Sequence, residues 1–453
     1  MFSGIGKKIF LIGIGGISMS GLAIMLKSRG HVVGGSDENL SNITDMLQEK
    51  DIKVFHGHCG KNIIGYDTIV YTAAISGNND ELMFAQKFGK QIISRAELLG
   101  IISQSFNTTI AISGSHGKTT TTAMISSIMI DSGKKPSVHI GAEFDKIGGN
   151  VLVGGKDIFI TEACEYKDSF LKLNPNISVI LNVQPDHLDY FKTFDNEILS
   201  FKKFAENSKN GVLVINDDDE NSEQIQFSAM SIITYSCRHH ADYEAKRIVM
   251  DNLGAYSFDC FEYGRFLGRF HLSVKGRHNV YNALASIAIA RQFDLNYFEI
   301  SKSLKNFFGA KRRFEEVGFI NGACVIHDYA HHPTEIKSSI DIARSITKNK
   351  VIAIFQPHTY SRTRDLFEDF AKSLACADEV IMYPIYAARE DPILGITSDK
   401  LCERITELDT SSTCLKSFDK IYDYISYKAC VGDVILILGA GDIVNLCKYF
   451  KNS

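Results

Sequence analysis

A short turn between an apolar run and a helix-like run constrains the fold of this chain more than any other segment. Residues 108–113 read TTIAIS, residues 114–122 read GSHGKTTTT and residues 123–131 read AMISSIMID. A strand that enters a glycine-bearing turn and leaves it as a helix directs free backbone N–H groups and the positive end of the helix dipole at one point. Phosphate groups bind at such points, so the segment predicts a phosphate-binding loop in an α/β domain.

Two side chains of this turn fit nucleotide chemistry. Lys118 would place a positive charge on the β- and γ-phosphates, and the hydroxyl of Thr119 stands where such loops place a Mg²⁺ ligand. The usual spacing has a further glycine before Gly117, at the position that Ile112 holds here, so the loop is a shortened variant. The alternative is an ordinary glycine-rich turn with a solvated lysine, which the strand–turn–helix context disfavours.

Length and composition limit the number of domains and the class of protein. At 453 residues the chain is too long for one core, and the usual domain size predicts about three domains. A hydrophobic content of 45% and a charged content of 23% are typical of a globular protein. The formal net charge of −4 gives no electrostatic reason to expect nucleic acid or an anionic membrane as a partner.

The cysteines and the apolar segments predict a soluble, cytoplasmic protein. The 10 cysteines are scattered without a Cys-x-x-Cys pair, which argues against a zinc ribbon and is typical of reduced thiols in the cytosol. Residues 1–10 enter a strand pattern without a signal-peptide cleavage pattern. No apolar run reaches the roughly 18 residues that span a bilayer.

A second glycine-rich turn lies near the start of the chain. Gly13 and Gly15 follow an apolar run and hold the first two positions of a G-x-G-x-x-G pattern, but Ser18 holds the third. Asp37 ends the next strand pattern, about 20 residues further on, where a Rossmann fold places the acid that binds a ribose hydroxyl. The turn therefore fits a nucleotide diphosphate, and an ordinary tight turn remains the alternative.

Carboxylates and a histidine follow two predicted strands in the middle of the chain. Residues 157–163 present Glu162, with Glu165 three residues later, and residues 177–183 lead into a loop that contains His187. Ligands of open α/β sheets bind beyond the carboxyl ends of the strands, so Thr119, Glu162 and His187 could meet around the phosphates. Mg²⁺ prefers oxygen ligands and usually keeps water. The alternative is that His187 makes hydrogen bonds within its loop and binds no metal.

The pattern changes between residues 242 and 276, where short alternating runs predict antiparallel strands appended to the parallel sheet. A helix rich in small residues follows, and Asn279 and Asn282 lie one turn apart on it. Their amides could pair with the edge of a nucleotide base. Helix capping is the alternative, and the sequence does not decide between them.

The last third of the chain places polar side chains just beyond its predicted strands. The strand at residues 323–326 leads into Asp328 and His331, and the strand at residues 350–355 leads into His358 and Arg362. Two such groups at one edge of a sheet predict that at least one of these side chains contacts substrate.

Taken together, these motifs resemble those of the Mur ligase family over essentially the whole chain. The resemblance lies in GSHGKTT at 114–120 (the family's ATP loop), EACE at 162–165 (its metal-binding acid), NVQPDHLD at 182–189, HNVYN at 278–282 and KRRFE at 311–315. It implies an α/β fold of three domains: an N-terminal Rossmann-like domain, a central P-loop ATPase-like domain with appended antiparallel strands, and a C-terminal Rossmann-like domain. The implied boundaries are 1–103 for UDP-sugar binding, 104–310 for ATP binding and 311–453 for amino-acid and ADP binding.

The resemblance also implies site residues, which group by ligand. ATP would contact Gly114, Ser115, His116, Gly117, Lys118, Thr119, Thr120, Asn279, Asn282, Arg313 and Asp328. The UDP-sugar would contact Gly15, Gly16, Ser18, Ser36 and Asp37, and the amino acid would lie near His331, His358 and Arg362. Mg²⁺ would bind Thr119, Glu162 and His187, and the catalytic set would be Lys118, Glu162, His187, His331 and Arg362.

Within the family, three motifs resemble the members that join L-alanine to the carboxylate of UDP-N-acetylmuramate in peptidoglycan precursor synthesis. They are GIGGISMS at 13–20, DYAHHPTE at 328–335 and QPHTYSRT at 356–363. The implied reaction uses ATP and Mg²⁺, passes through an acyl phosphate and needs no nucleic acid or membrane. The implied protein is a monomer or a homodimer.

Three departures from the family pattern and three alternatives remain. Cys164, His327 and Thr359 stand where many relatives carry an acid, an aspartate and an arginine. A related ligase that attaches a preformed peptide to the same UDP-sugar in cell-wall recycling shares nearly all the motifs. An NAD-dependent dehydrogenase would use only the first turn, where Ser18 breaks its fingerprint. A non-catalytic nucleotide-binding regulator would bind ATP without ligation.

Overall fold

The protein is described here by a computed structural model that covers residues 2–208, 211–226, 231–388 and 390–450. These residues form two compact units. The first contains residues 2–246, 259–270 and 280–307, and the second contains residues 247–258, 271–279 and 308–450. Three separate β-sheets carry the fold.

The N-terminal sheet is entirely parallel, with strand order β3-β2-β1-β4-β5. Its elements are β1 Lys8–Ile12, α1 Ile17–Ser28, β2 Val32–Asp37, α2 Asn42–Glu49, β3 Lys53–His56, β4 Thr68–Tyr71, α3 Asp80–Lys87, β5 Gln91–Ser94 and α4 Arg95–Ser103, with a 3₁₀ turn at Gly60–Ile63. The central strand β1 is apolar after its first residue and buried, as expected where helices cover both faces of a sheet. The carboxyl ends of β1 and β2 thus face one edge.

The central sheet has ten strands in the order β15-β14-β13-β12-β11-β10-β6-β9-β7-β8. Its elements are β6 Thr108–Ser113, α5 Lys118–Asp131, β7 Ser137–Phe144, β8 Gly149–Leu152, β9 Ile158–Glu162, β10 Ile177–Ile180, α6 Leu188–Phe191, α7 Phe194–Glu206, β11 Val212–Asn216, α8 Ser222–Gln226, β12 Ser231–Ser236, β13 Tyr243–Met250, β14 Ala255–Glu262, β15 Arg265–Lys275, α9 His278–Arg291 and α10 Tyr297–Lys305. Short 3₁₀ segments lie at Asp145–Ile147 and Tyr166–Lys172.

The added strands β13, β14 and β15 join the edge of the central sheet, where the sequence predicts them. At the junction, β13 pairs with β12 in parallel, with Tyr235 opposite Tyr243. The sequence does not indicate the direction of this junction, because alternation along a strand reports which face is buried and not the direction of the neighbouring strand.

The second unit carries a six-stranded sheet with order β16-β17-β21-β18-β19-β20. Only β16 and β17 pair in antiparallel fashion, and the other pairs are parallel. Its elements are β16 Glu315–Ile320, β17 Ala323–Asp328, α11 Pro333–Ile346, β18 Val351–Phe355, α12 Tyr360–Asp365, α13 Phe367–Leu374, β19 Glu379–Met382, α14 Ser398–Glu407, β20 Ser411–Cys414, α15 Phe418–Lys428, β21 Val434–Leu438 and a 3₁₀ segment at Asp442–Tyr449.

Helix starts follow local capping rules. Ser94 and Glu97 form a reciprocal capping box at α4, and Asn296 and Glu299 form one at α10. Pro333 opens α11, where its missing N–H has no helical partner to lose. In the part of the chain that the structure covers, no helix combines the length and the apolar character that crossing a membrane requires.

Candidate active site

The loop between β6 and α5 contains two glycines at positions where close neighbours leave no space for a side chain. Gly114 has a φ of +134°, and a Cβ there would lie 3.1 Å from both the backbone N and O of Asn182. Gly117 has a φ of +86°, and its Cβ would lie 2.7 Å from Oδ1 of Asn282. The next residues, Lys118 and Thr119, begin α5, and the first amides of a helix have no partner within it. The loop therefore forms a cradle that a phosphate fits.

Asn182 holds this cradle from the neighbouring strand. The backbone N–H of Ser115 donates to Asn182 O at 3.0 Å, and that of His116 donates to Asn182 Oδ1 at 2.8 Å. The Asn182 amide donates back to His116 O at 3.0 Å. Asn182 belongs to the NVQPDHLD motif, but its role could not be predicted because the sequence does not show that β10 lies beside β6.

Lys118 lies against the mouth of the loop. Its Nζ donates to Gly114 O, to Ser115 O at 3.1 Å and to Oε1 of Glu165 at 2.9 Å. Burial is the largest single effect and would lower the pKa of Lys118, but the charge of Glu165, its hydrogen bond to Lys118 and the further negative charge of Asp186 and Cys164 together raise it. The ammonium group is therefore charged and held by a carboxylate that is itself 1% exposed.

Thr119 and Glu162 meet directly at the ends of α5 and β9. The Thr119 hydroxyl donates to Glu162 Oε2 at 3.1 Å, and the backbone N–H of Gly141 donates to Glu162 Oε1 at 2.6 Å. A side chain at Gly141 would crowd this carboxylate, because its Cβ would lie 3.0 Å from Oε2. The predicted meeting of Thr119 with Glu162 is thus present.

His187 lies in a second group of possible metal ligands. One ligand atom from each of Glu165, Asp186 and His187 lies within 4.8 Å of the others. His187 Nε2 is 3.8 Å from Glu165 Oε1, and its ring packs 4.6 Å from that of Tyr166. Glu165 and Asp186 both lie in motifs of the sequence, but neither was predicted as a metal ligand. No sequence signal ranks these acids above others in loops.

The donor set fits a hard divalent cation such as Mg²⁺. Carboxylate oxygens and a threonine hydroxyl are the ligands that Mg²⁺ prefers. Glu165 Oε2 is buried and has no hydrogen-bond partner among the described residues, so one oxygen remains available. Beside this group, burial raises the pKa of Glu197 to about 8, and Glu197 accepts a hydrogen bond from the Asp186 backbone.

The first glycine turn is shaped around Asp37. The backbone N–H of Gly15 donates to Asp37 Oδ2 at 2.8 Å, and a Cβ at Gly15 would lie 2.9 Å from that oxygen. Gly16 stands at the N-cap of α1, so the free amides of this helix face the turn. Ser36, by contrast, is fully buried and donates to Glu81 Oε2 at 2.5 Å. Its predicted contact with the UDP-sugar stays untested.

Ser18 connects this turn to the central sheet through His139. The ring of His139 on β7 is 3% exposed, and its Nε2 lies 3.1 Å from Ser18 Oγ. Burial lowers the pKa of His139 to about 4, with a smaller contribution from the charge of Arg95. The histidine is therefore neutral at neutral pH.

This buried histidine predicts a loss of stability in acid. Between pH 6.5 and about 4 the unfolded chain binds a proton at His139 that the folded chain does not, so the free energy of unfolding falls as the pH falls. Replacing His139 with glutamine should flatten this part of the pH profile, measured as the unfolding temperature between pH 7 and pH 4. The matched variant His271→Gln alters an exposed histidine and should keep the wild-type slope. Equal slopes in wild type and His139→Gln would contradict the prediction.

Asn279 and Asn282 both lie near the start of α9 and are 5% exposed. Nδ2 of Asn279 donates to Lys275 O at 2.7 Å, a bond to the backbone before the helix that differs from N-capping, in which the side-chain oxygen accepts from a backbone N–H. Asn282 instead faces Gly117 of the phosphate loop, as the distance above shows. Binding of a nucleotide base by either amide stays a prediction.

In the second unit, Asp328 and Arg313 lie near the end of β17. Ser339 Oγ donates to Asp328 Oδ2 at 2.5 Å. Burial raises the pKa of Asp328 to about 6, against the lowering effects of Ser339 and Arg313. The guanidinium of Arg313 lies 5.2 Å from the ring of Tyr329. The two residues predicted to contact ADP from this unit therefore act on each other electrostatically.

His331 and His358 face each other at the same sheet edge, with ring centroids 6.1 Å apart. His331 Nδ1 lies 3.0 Å from Tyr329 O and 3.4 Å from Glu335 Oε2. Arg362 follows on α12, the short helix that starts after Thr359. The structure thus brings the two predicted histidines together.

Thr359 has a φ of +68°, which is strained for a β-branched residue. Its N–H donates to Tyr386 O at 2.9 Å, and that bond fixes the backbone beside His358. Strain of this kind clusters at functional sites.

Comparison with known proteins confirms the family that the sequence motifs predict. Three family models match consecutive parts of the chain: "Mur ligase family, catalytic domain" over residues 8–107, "Mur ligase middle domain" over residues 112–290 and "Mur ligase, glutamate ligase domain" over residues 312–441. The chain belongs to the Mur ligase family.

The relatives of this chain include curated proteins named UDP-N-acetylmuramate–L-alanine ligase. That of Caldanaerobacter subterraneus is 44% identical over 446 residues, which are 98% of this chain and 97% of the relative. That of Caldicellulosiruptor bescii is 46% identical, with 97% of each chain covered.

A solved structure of UDP-N-acetylmuramate-alanine ligase from Thermotoga maritima matches with a TM-score of 0.84 and 26% identity, covering 99% of both chains. A murein peptide ligase from Psychrobacter arcticus matches in fold with a TM-score of 0.75 and 24% identity, covering 99% of this chain and 98% of the other. The predicted fold class, three α/β domains of the Mur ligase type, is confirmed.

Proposed function

We propose that this protein joins L-alanine to the carboxylate of UDP-N-acetylmuramate while ATP is converted to ADP and phosphate. The observation that carries the proposal is the phosphate cradle, in which Lys118 is charged and bound to Glu165 while Thr119 is bound to Glu162. The high identity to relatives named for this reaction supports the choice of substrates. The reaction belongs to peptidoglycan synthesis, and its UDP-linked substrate and ATP assign it to the cytoplasm.

The proposed chemistry begins with a carboxylate that is a poor electrophile. Its negative charge repels both the triphosphate and an incoming amine, so the protein must neutralise the phosphates first. The amides at the start of α5 and the ammonium group of Lys118 are fixed where charge develops on the γ-phosphate. The carboxylate then attacks the γ-phosphorus, ADP leaves and an acyl phosphate forms.

Thr119 and Glu162 would hold the Mg²⁺ that accompanies the triphosphate, and Glu165, Asp186 and His187 would hold a second ion. When bound there, Mg²⁺ would neutralise part of the phosphate charge. The hydrogen bond from Gly141 N–H to Glu162 orients that carboxylate before any ion binds. Preorientation of a ligand in this way lowers the cost of ordering it.

The second half-reaction is attack of the neutral amine of L-alanine on the acyl phosphate, with release of phosphate. In the second unit, we assign the alanine carboxylate to Arg362, beside His331 and His358. Because Thr359 replaces an arginine of other members, binding of alanine depends more heavily on Arg362. Asp328 and Arg313 are assigned to ADP, and the proposed domain boundaries remain 1–103, 104–310 and 311–453.

The proposal predicts that phosphate release from ATP requires both UDP-N-acetylmuramate and L-alanine. The measurement is phosphate release by the full-length protein with each substrate omitted in turn. The tripeptide of the recycling ligases, in place of L-alanine, tests the nearest alternative. Release that depends on the tripeptide and not on L-alanine would identify a peptide ligase. ATP binding without amino-acid-dependent release would identify a regulator.

A further inference from the structure

A chain of hydrogen bonds joins the first glycine turn to the strand that ends in Glu162. Nη1 of Arg95 donates to Ser18 Oγ at 3.2 Å, and Ser18 Oγ lies 3.1 Å from His139 Nε2. On the other side of the ring, His139 Nδ1 lies 3.3 Å from Thr161 Oγ1. The Thr161 hydroxyl donates to Glu162 O at 3.1 Å. The chain therefore connects the predicted UDP-sugar turn to the predicted metal-binding strand.

Ser18 Oγ accepts a hydrogen bond from Arg95 whichever ring nitrogen of His139 carries the proton, because a guanidinium can only donate. His139 Nε2 lies 3.1 Å from Ser18 Oγ and also 3.3 Å from Ser18 O, a carbonyl that can only accept. The ring of His139 is 3% exposed and lies between Ser18 and Thr161, so it holds the Ser18 hydroxyl in place beside Arg95.

Arg95 retains unused hydrogen-bonding capacity. It is the first residue of α4 and is half-buried, and a guanidinium carries five N–H donors. Within the described ranges, the bond to Ser18 is its only hydrogen bond, and no carboxylate forms an ion pair with it. A fixed guanidinium with free donors on one edge suits two-point binding of an oxyanion.

The position of Ser18 indicates which oxyanion. Ser18 is the second residue of α1, whose N-cap is Gly16, so the contact with Arg95 places the guanidinium beside the first turn of this helix. The first backbone amides of a helix have no partner within it. Diphosphates of nucleotides bind at the first turn of such a strand–turn–helix unit.

We propose that Arg95 binds the diphosphate of the UDP-linked substrate and that Ser18 and His139 position its guanidinium. This inference rests on the proposed function, because it assumes a UDP-sugar as substrate. It adds to the first glycine turn a cationic residue from a different helix. The glycine pattern gives no indication of Arg95, which lies 77 residues from Ser18 along the chain.

The kinetic test compares Arg95→Ala and Arg95→Lys with wild type in the complete ligation assay. Arg95→Ala should raise the KM for UDP-N-acetylmuramate at least tenfold and leave the KM values for ATP and L-alanine within about twofold. Arg95→Lys should recover part of the lost affinity, because lysine keeps the positive charge but cannot make the two parallel hydrogen bonds of a guanidinium. The control is Arg29→Ala at the far end of α1, where the guanidinium donates to Gly155 O. An equal rise in all three KM values would overturn the inference.

Direct binding separates this inference from the proposed function. Calorimetric titration without ATP would use UDP-N-acetylmuramate and UDP-N-acetylglucosamine, which lacks the lactyl carboxylate. Arg95→Ala should weaken both by a similar factor, since both carry the diphosphate. A loss confined to UDP-N-acetylmuramate would assign Arg95 to the carboxylate and overturn the inference. Unchanged binding of both UDP-sugars by Arg95→Ala would overturn the role of Arg95 and leave the proposed function standing. A wild-type protein that binds neither UDP-sugar would overturn the proposed function as well.

Discussion

Replacing Lys118 with alanine is expected to lower the rate of ATP-dependent ligation by roughly a hundredfold to a thousandfold. The ammonium group lies at the phosphate cradle, 3.1 Å from Ser115 O, where it would meet the charge that develops on the γ-phosphate. Loss of a preorganised charge that acts on the transition state lowers kcat as well as kcat/KM. The measurement is phosphate release at saturating UDP-N-acetylmuramate and L-alanine.

The structure changes what Lys118→Ala should do to stability. The sequence alone predicts that the variant folds normally, but Lys118 is paired with Glu165, which is buried. Removing one partner of a buried pair leaves an uncompensated charge and costs about 3–5 kcal/mol, less if Glu165 takes up a proton. A lower unfolding temperature is therefore expected alongside the lost activity.

A double variant separates these two effects. Lys118→Ala with Glu165→Gln removes both charges, so the unfolding temperature should recover while ligation stays lost. The control is Lys134→Ala, which replaces an exposed lysine just beyond the other end of α5. This variant should keep wild-type activity and stability. Substantial ligation by a folded Lys118→Ala protein would reject the assigned role.

The phosphate cradle could be predicted from sequence because its determinants are local. Gly114, Gly117 and Lys118 act through the turn and helix that contain them. The meeting of Thr119 with Glu162 could be predicted as well. Glu162 ends strand β9, and Thr119 lies at the start of the helix that follows strand β6. Parallel strands place those ends at one edge of a sheet.

The partners of these residues could not be predicted, because they depend on which strands are neighbours. Asn182 reaches the cradle only because β10 lies beside β6, and Glu162 receives the N–H of Gly141 only because β7 lies beside β9. The sequence orders the strands along the chain and not across the sheet. The hydrogen bond from the buried Ser36 hydroxyl to Glu81 could not be predicted from the sequence for the same reason.

Replacing Glu162 with glutamine is the second change for which we expect a large effect, a fall in kcat of roughly a hundredfold or more. Glutamine has the shape of glutamate, so its amide oxygen can accept from Gly141 N–H and its NH₂ can face Thr119. The substitution therefore removes the charge and an oxygen ligand while keeping the packing. Activity should become dependent on higher Mg²⁺ concentrations, which a titration of rate against Mg²⁺ would show.

The matched control is Asp157→Asn at the opposite end of β9. Asp157 is exposed and accepts a hydrogen bond from Asn107 at 2.8 Å, so this variant also exchanges a carboxylate for an amide in place. It should keep the wild-type rate and Mg²⁺ dependence.

A readout apart from activity is the binding of Mn²⁺ in the presence of ADP, followed by electron paramagnetic resonance. Glu162→Gln should bind Mn²⁺ at least tenfold more weakly, because a neutral amide is a poorer ligand for a hard cation than a carboxylate. Unchanged Mn²⁺ binding together with a low kcat would assign Glu162 to the orientation of Thr119 and not to the metal.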